Sequence, residues 1–380
     1  MSAAMCSSTR SGESTRQGTR EVSREVKDVN HLDALREQIK ETDRELLALA
    51  ARRISLARQV GEEKRRADLP IVDYAQERVV LERARAAADA SGLDPQVAET
   101  ILTALIRGAV SAQDRDRVRR ASVGVGKTAV VVGGEGRMGR WFVRFLADQG
   151  FSTGALDISG SEEENEWARQ ALPTADLVVN ATPPGATAQL YDTWVAHPPA
   201  GVIADISSIK TPLIGPIRRL QDAGARVASL HPMFGPSVVL LRECDVVICD
   251  TGDVASSAVV EQLFALTTAR LLHLPLDEHD RLMADVLTLA HATVIAFALA
   301  LPEAPVPVRS TTLGALQALS SALMRESPDV YYEIQALNPN SASALGRLGD
   351  ALGRVSSAVS SHDAKAFRSL MDEGRSRTGG

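Results

Sequence analysis

At 380 residues the chain exceeds what one hydrophobic core holds, since single cores stop growing near ~250–300 residues, so two or three domains are expected. Its 44% hydrophobic and 24% charged residues are ordinary for a soluble globular protein and exclude a disordered or fibrous chain. The net charge of −6 speaks against a nucleic-acid partner but leaves small anionic substrates open, because local basic clusters can sit inside an acidic whole.

Residues 1–27 are rich in Ser, Thr, Arg and Glu without an apolar stretch, so they read as a flexible tail and not as a secretory signal. From about Asn30 to Arg66 the residues Leu32, Leu35, Ile39, Leu46, Leu49, Leu56 and Val60 recur at helical spacing, with no proline between them. Such a helix spans roughly 50 Å at ~1.5 Å per residue, too long to bury its stripe within a domain covering residues 28–116. A second helix is expected over Asp73–Ser91, after the break at Leu69-Pro70. A third opens at Asp94-Pro95, where proline is tolerated at the first helical position, and ends near Asp114. An overlong helix in this all-helical segment implies that two copies interlock to complete the core, so a homodimer is expected.

Residues 117–127 are charged and then punctuated by glycine, and read as a linker. Over 128–275 the texture changes to short apolar runs at Ala129–Val132, Gly154–Asp157, Asp176–Asn180, Val202–Asp205, Arg226–Leu230 and Asp245–Cys249, separated by helix-length segments. That alternation predicts an α/β domain with a parallel, doubly wound sheet of the Rossmann type. From 276 to 375 the strands stop, and helices are expected over His279–Leu299, Thr311–Arg325, after Pro328 and around Ala364–Met371. No apolar run reaches the ~18 residues of a membrane span, so no membrane is expected. Cys6, Cys244 and Cys249 supply neither a disulfide framework nor paired metal-ligand spacing, which points to a reducing cytoplasm and no metal.

The run Gly134-x-Gly136-x-x-Gly139 follows the first strand and opens a helix with Arg137 and Met138. In that context the first glycine makes the turn, the second lets the backbone approach a pyrophosphate and the third lets the helix pack on the sheet. The helix N-terminus adds free N–H groups and partial positive charge. Asp157 ends the second strand about 20 residues on, where an acid meets the ribose 2′-hydroxyl and repels a 2′-phosphate, so NAD is favoured over NADP. Further on, Ser229-Leu230-His231-Pro232-Met233-Phe234-Gly235-Pro236 places a histidine at the end of a strand, the edge where open α/β sheets bind ligands. Oxidation of an alcohol needs a group that can polarise or deprotonate a hydroxyl near neutral pH, as histidine can.

The runs VVVGGEGRMGRWF, ISSIK (Ile206–Lys210), HPMFGP (His231–Pro236) and DEHDRLMA (Asp277–Ala284), with His291 beyond, resemble prephenate dehydrogenases. More narrowly, the chain from Leu32 to about Met371 is similar to the bacterial bifunctional chorismate mutase/prephenate dehydrogenases. The resemblance implies that His231 bonds the C4 hydroxyl of prephenate while hydride leaves C4 for NAD and the ring carboxylate leaves as carbon dioxide, giving 4-hydroxyphenylpyruvate. It places Thr182 beside that histidine and Lys210 and His291 along the substrate cleft. One position departs. The family's carboxylate-binding arginine, about two helical turns before Pro328, is Ala322 here, with Arg325 and Arg309 as the nearby cations.

The mutase reaction is a pericyclic shift that needs cations to hold two carboxylates in a folded conformer and a donor at the ether oxygen. Arg53 and Lys64 lie about three turns apart on one helix face, and Arg36 points roughly a quarter-turn away, as suits a residue reaching into a partner's site. By resemblance to the all-helical mutases (LDALREQI, RRISLARQVGEEK, LPIVDYAQER), Arg36 and Arg53 grip the carboxylates of chorismate. In the same way Lys64 and Gln113 donate to the ether oxygen, and Asp73 and Glu77 sit near the C4 hydroxyl. Gln76 stands where the family has arginine, and Ala109 where it has serine. These departures keep open a second reading, the same reactions on 4-amino-4-deoxy analogues. A third is a sensor that binds NAD or an aromatic ligand without turnover.

Overall fold

The computed structural model describes residues 13–67, 69, 73–238, 241–242, 244–304, 307–308, 310–325 and 327–378, with side chains from residue 31 onward. The chain divides into two compact units, one ending at Gln113 and the other beginning at Asp114.

The first unit is all helical. Helix α1 (Glu13–Arg66) begins well before the expected Asn30 and takes in residues 13–27, which the sequence suggested were a flexible tail. At 54 residues it is about 80 Å long at ~1.5 Å per residue, and its apolar stripe stays open: Ile39 is 60% and Leu49 61% exposed. Helix α2 (Tyr74–Ser91) starts at Asp73, whose carboxylate accepts from the Gln76 N–H at 3.0 Å, and stops at Gly92, whose φ of 73° only glycine adopts readily. Helix α3 (Pro95–Ala121) opens with proline at its first position, as expected, but runs past Asp114. Its last turns therefore replace much of the expected linker. They belong to the second unit, where Asp114 accepts from the Thr268 N–H and hydroxyl and Arg117 donates to the Leu266 carbonyl.

The second unit is built on a seven-stranded sheet in the order β2-β1-β3-β4-β5-β6-β7. Its strands are β1 (Thr128–Val132), β2 (Ser152–Leu156), β3 (Leu177–Asn180), β4 (Val202–Asp205), β5 (Arg226–Pro232), β6 (Asp245–Asp250) and β7 (Arg270–Pro275). Helices α4 (Arg137–Asp148), α5 (Glu162–Ala171), α6 (Pro184–Trp194), α7 (Thr211–Asp222) and α8 (Val254–Phe264) cover both faces. The residues of β1 alternate between two cores: Ala129 and Val131 pack with Phe142 and Leu146, Val130 and Val132 with Ala168 and Val178. A strand buried on both faces needs an unbroken apolar run, and AVVV is one. Two features differ from the sequence expectation. Strand β7 had not been foreseen, and β6 runs antiparallel to β5, so the sheet is not wholly parallel. The physical cause is the β5–β6 connection, which holds no helix among its described residues, whereas a parallel return needs a crossover, usually helical. Both ends of that connection therefore lie at the edge where β1, β3, β4 and β5 finish.

Beyond β7 the second unit is helical: α9 (His279–Met283), a π-helical turn (Ala284–Thr288), α10 (Leu289–Ala300), α11 (Thr311–Leu323), α12 (Pro328–Ala336), α13 (Ser341–Ser360) and α14 (Ala364–Thr378). One correction concerns membranes. The stretch His279–Ala300 is long and apolar enough to cross one, although no such run had been read from the sequence. Only 22% of its most apolar window is buried in this chain, and Leu299 is 81% exposed.

Candidate functional sites

In the first unit, α1 and α3 bring one set of mutase candidates together. Gln113 Nε2 donates to the Ala57 carbonyl at 2.5 Å, and its amide lies where a Cβ on Gly61 would stand, 2.9 Å away. Arg53, Ala57, Gly61 and Lys64 follow one another up a single face of α1, so Gln113 lies between the two cations on that face. Partial burial lowers the Arg53 pKa without neutralising a guanidinium. Lys64 Nζ is 3.7 Å from Asp73 Oδ2, at the start of α2, and Gln76 and Glu77 occupy the first turn of that helix. Arg36 is not part of this group. It lies about 25 Å down α1 from Arg53 at ~1.5 Å per residue, exposed and paired with Asp33 at 3.1 Å. Ala109 is buried in α3.

In the second unit, the nucleotide loop has the shape that a dinucleotide requires. Gly133 adopts φ 76°, and a Cβ on Gly134 would stand 2.4 Å from Ala155 Cβ. A Cβ on Gly139 would fall 2.1 Å from the Gly133 carbonyl oxygen, so α4 packs on β1 only with glycine there. Gly136 caps α4 in an extended conformation, where an added Cβ would stand 3.2 Å from the Gly133 oxygen, and Arg137 and Met138 open the helix. Pyrophosphate fits this bare turn and helix N-terminus. Asp157 follows β2, and its carboxylate accepts from the Glu135 N–H at 3.1 Å and from the Ser159 N–H and hydroxyl at 2.9 and 2.7 Å. Partial burial opposes its ionisation, but those donors and the Gly136 N–H outweigh it and hold its pKa below the usual carboxylate range. Asn165, which the sequence did not single out, binds both the N–H and the carbonyl of Asp157 at 2.8 Å and so fixes its backbone.

His231 lies near the end of β5, 4% exposed. Its Nδ1 is 3.0 Å from Nε2 of His279, the first residue of α9, and His279 Nδ1 is 2.7 Å from Asp280 Oδ1. Asp280 also accepts from the Lys210 N–H at 2.8 Å and the Thr211 N–H at 2.7 Å. Burial, and after it the neighbouring His279 and Lys210, push the His231 pKa well below the ordinary histidine value. Burial lowers that of His279 as well, against the pull of Asp280. The loop after His231 is pinned to the nucleotide helix: the Phe234 ring lies 5.1 Å from Trp141, whose Nε1 donates to the Val238 carbonyl at 3.2 Å. The sequence reading missed His279 and Asp280 as a pair with His231, although both lie in the quoted DEHDRLMA run. Their signal was a His-Asp pair opening an apolar helix, a charge that needs buried partners.

Thr182, just past β3, bonds Asn180 Oδ1 at 2.7 Å and the Thr187 hydroxyl at 2.9 Å, on the same sheet edge as His231. Lys210, which the resemblance places along the substrate cleft, has a fully buried side chain, with Nζ 2.5 Å from Asp205 Oδ1 and 2.9 Å from the Leu230 carbonyl. A buried ammonium must spend its donors on partners of this kind, so it braces β4 against β5. His291, on α10, is partly buried with its ring edge-on to Tyr331 at 4.5 Å, and burial lowers its pKa. Ala322 is exposed on α11 and Arg325 exposed just beyond it, while Arg309 lies outside the described residues.

Residues 35–114 match the family model for type II chorismate mutase, and residues 149–273 that for the nucleotide-binding domain of prephenate dehydrogenase. The T-protein of Enterobacter agglomerans is 29% identical, over 89% of this chain and 91% of its own. The 4-amino-4-deoxyprephenate dehydrogenase of Streptomyces pristinaespiralis is 32% identical, over 64% of this chain and 88% of its own. In fold, prephenate dehydrogenase from A. aeolicus, solved with hydroxyphenyl propionate and NAD+, superposes with a TM-score of 0.53 at 16% identity, covering 67% of this chain and 98% of that one.

Proposed function

Because the chain belongs to the prephenate dehydrogenase family, with a type II chorismate mutase ahead of the dehydrogenase, we propose that the two residue groups described above are its two active sites. The protein rearranges chorismate to prephenate and then oxidatively decarboxylates prephenate to 4-hydroxyphenylpyruvate with NAD, in tyrosine biosynthesis. The observation that carries the dehydrogenase site is a buried histidine near the end of β5, followed by a loop pinned to the helix of the glycine turn.

In the mutase, Arg53 and a second cation hold the carboxylates, Lys64 and Gln113 donate to the ether oxygen, and Asp73, Gln76 and Glu77 surround the C4 hydroxyl. No proton moves; the residues select a conformer and stabilise charge at the breaking bond. Arg36 is about 25 Å from Arg53 along one helix and serves the site of a second copy, which makes the protein a homodimer. The open stripe of α1 and the apolar face of His279–Ala300 support that state.

In the dehydrogenase, Gly134, Gly136, Gly139, Arg137 and Met138 receive the pyrophosphate end of the cofactor and Asp157 its ribose. When bound, NAD accepts the hydride from C4. His231 takes the proton of the C4 hydroxyl as the carbonyl forms, and the bond from C1 to the carboxylate then breaks and leaves its electrons in the ring. The phenolate so formed takes the proton back from His231, so the reaction releases no net proton and the histidine ends as it began. By the resemblance, Thr182 lies beside this histidine, and Lys210 and His291 lie along the substrate cleft. Residues 128–275 form the nucleotide-binding domain, residues 276–375 the dimerising helices, and the cytoplasm is the place of work.

The Streptomyces pristinaespiralis relative, together with Gln76 and Ala322, supports a second reading in which the C4 group is an amine. NADH formation with prephenate and with 4-amino-4-deoxyprephenate, at matched concentrations, separates the two. A much larger kcat/KM with prephenate is expected, and preference for the amine would replace the first reading. His231→Asn should cut the dehydrogenase ~10²–10⁴-fold and leave the mutase near normal. Equal loss of both activities would give His231 a folding role instead.

A further inference from the structure

A carboxylate can only accept hydrogen bonds. Asp280 accepts from the backbone N–H groups of Lys210 and Thr211, so in its 2.7 Å contact with the His279 ring the proton sits on His279 Nδ1. A neutral imidazole carries one N–H, which leaves the lone pair of His279 on Nε2. That nitrogen is 3.0 Å from His231 Nδ1, and the contact is a hydrogen bond only if His231 donates. We propose that His279, oriented by Asp280, is a positioning residue that locks His231 with its proton on Nδ1 and its lone pair on Nε2, facing the substrate hydroxyl. The proposal rests on the dehydrogenase reading above for what Nε2 meets, but the tautomer itself does not depend on the substrate.

The lock has a chemical consequence. In the opposite tautomer His231 would present an N–H to the C4 hydroxyl and could not take its proton. In the locked one Nε2 is a base before substrate arrives, and the imidazolium formed on proton uptake still donates from Nδ1 towards His279 and the Asp280 carboxylate. The surrounding groups fit this state. His279 and Asp280 come from α9, Lys210 from the turn before α7 and Asp205 from β4, with the buried Cys249 thiol of β6 raised to about 12 chiefly by burial. The Lys210–Asp205 pair neutralises itself at 2.5 Å, which leaves Asp280 as the anion beside the histidines.

Two measurements test the lock. In the full-length protein with labelled histidines, long-range ¹H–¹⁵N correlation spectra should show His231 protonated on Nδ1, identified by its loss in His231→Asn. His279→Leu should redistribute that signal towards the other tautomer. His279→Gln supplies an amide oxygen near the position of Nε2 and should retain it. In kinetics, His279→Leu should lower dehydrogenase kcat ~10²–10³-fold with little change in KM or in mutase rate, and His279→Gln should recover about tenfold or more. A parent His231 protonated on Nε2, or Leu and Gln variants that are equally impaired, would overturn the proposal. Absence of turnover with prephenate in the parent enzyme would overturn the functional reading alone, since the spectra report the tautomer without substrate.

Discussion

Three histidines of the second unit, His231, His279 and His291, have pKa values lowered chiefly by burial, and this sets a pH dependence. In the unfolded chain each titrates near ~6.5, whereas in the folded protein each stays neutral to lower pH. Between those values the unfolded state binds more protons, so stability is complete above about pH 6.5 and is lost as pH falls below it. The melting temperature of the dehydrogenase unit should therefore fall steadily between pH 7 and 5, and the acidic limb of dehydrogenase kcat/KM should lie below the ordinary histidine range. A limb centred at or above ~6.5 would contradict a buried, neutral base. His231 was legible in the sequence because a histidine followed by a Pro/Gly turn at a strand end has few structural uses. The partners of Lys210 were not legible, since only the fold shows that Asp205 and the Leu230 carbonyl take its charge and donors.

The helices of the mutase show how one small residue positions another. Gly61 lies inside α1, where alanine would favour the helix by about 1 kcal/mol. A Cβ there would stand 2.9 Å from the Gln113 amide, so the glycine makes room for that side chain. Gly61→Ala should leave thermal stability of the mutase unit equal or higher while lowering mutase kcat at least about tenfold, the scale of one charge-stabilising donor misplaced. Unchanged mutase kinetics would remove Gln113 from the site. The buried strands with apolar runs, such as β1 and β3, were legible, whereas β7, a half-buried edge strand whose run RLLHLP is broken by His273, was not. The reversal of β6 follows from the helix-free connection after β5, and strand propensity carries no information about direction.

At the scale of the whole molecule, the proposed pair of copies is testable through the distance from Arg36 to Arg53 along α1. If each mutase site takes Arg53 from one copy and Arg36 from the other, Arg36→Ala and Arg53→Ala proteins are each inactive alone. Exchanged together, half of the dimers become mixed, and each mixed dimer holds one intact site, so roughly a quarter of mutase activity should return. No recovery after demonstrated subunit exchange would place the whole site in a single chain.

The sequence by itself determined the two-part organisation, the three mutase helices, the sheet carrying the glycine turn and the strand-end histidine. Each of these rests on local periodicity or on residues whose backbone demands are specific, which a linear chain displays. Tertiary structure alone decided that α3 runs on into the second unit, that Lys210 is buried against Asp205, and that His279 and Asp280 stand behind His231. Those outcomes depend on which distant side chains meet in a space without water, where every charge and N–H must find a partner, and no spacing along the chain records that meeting.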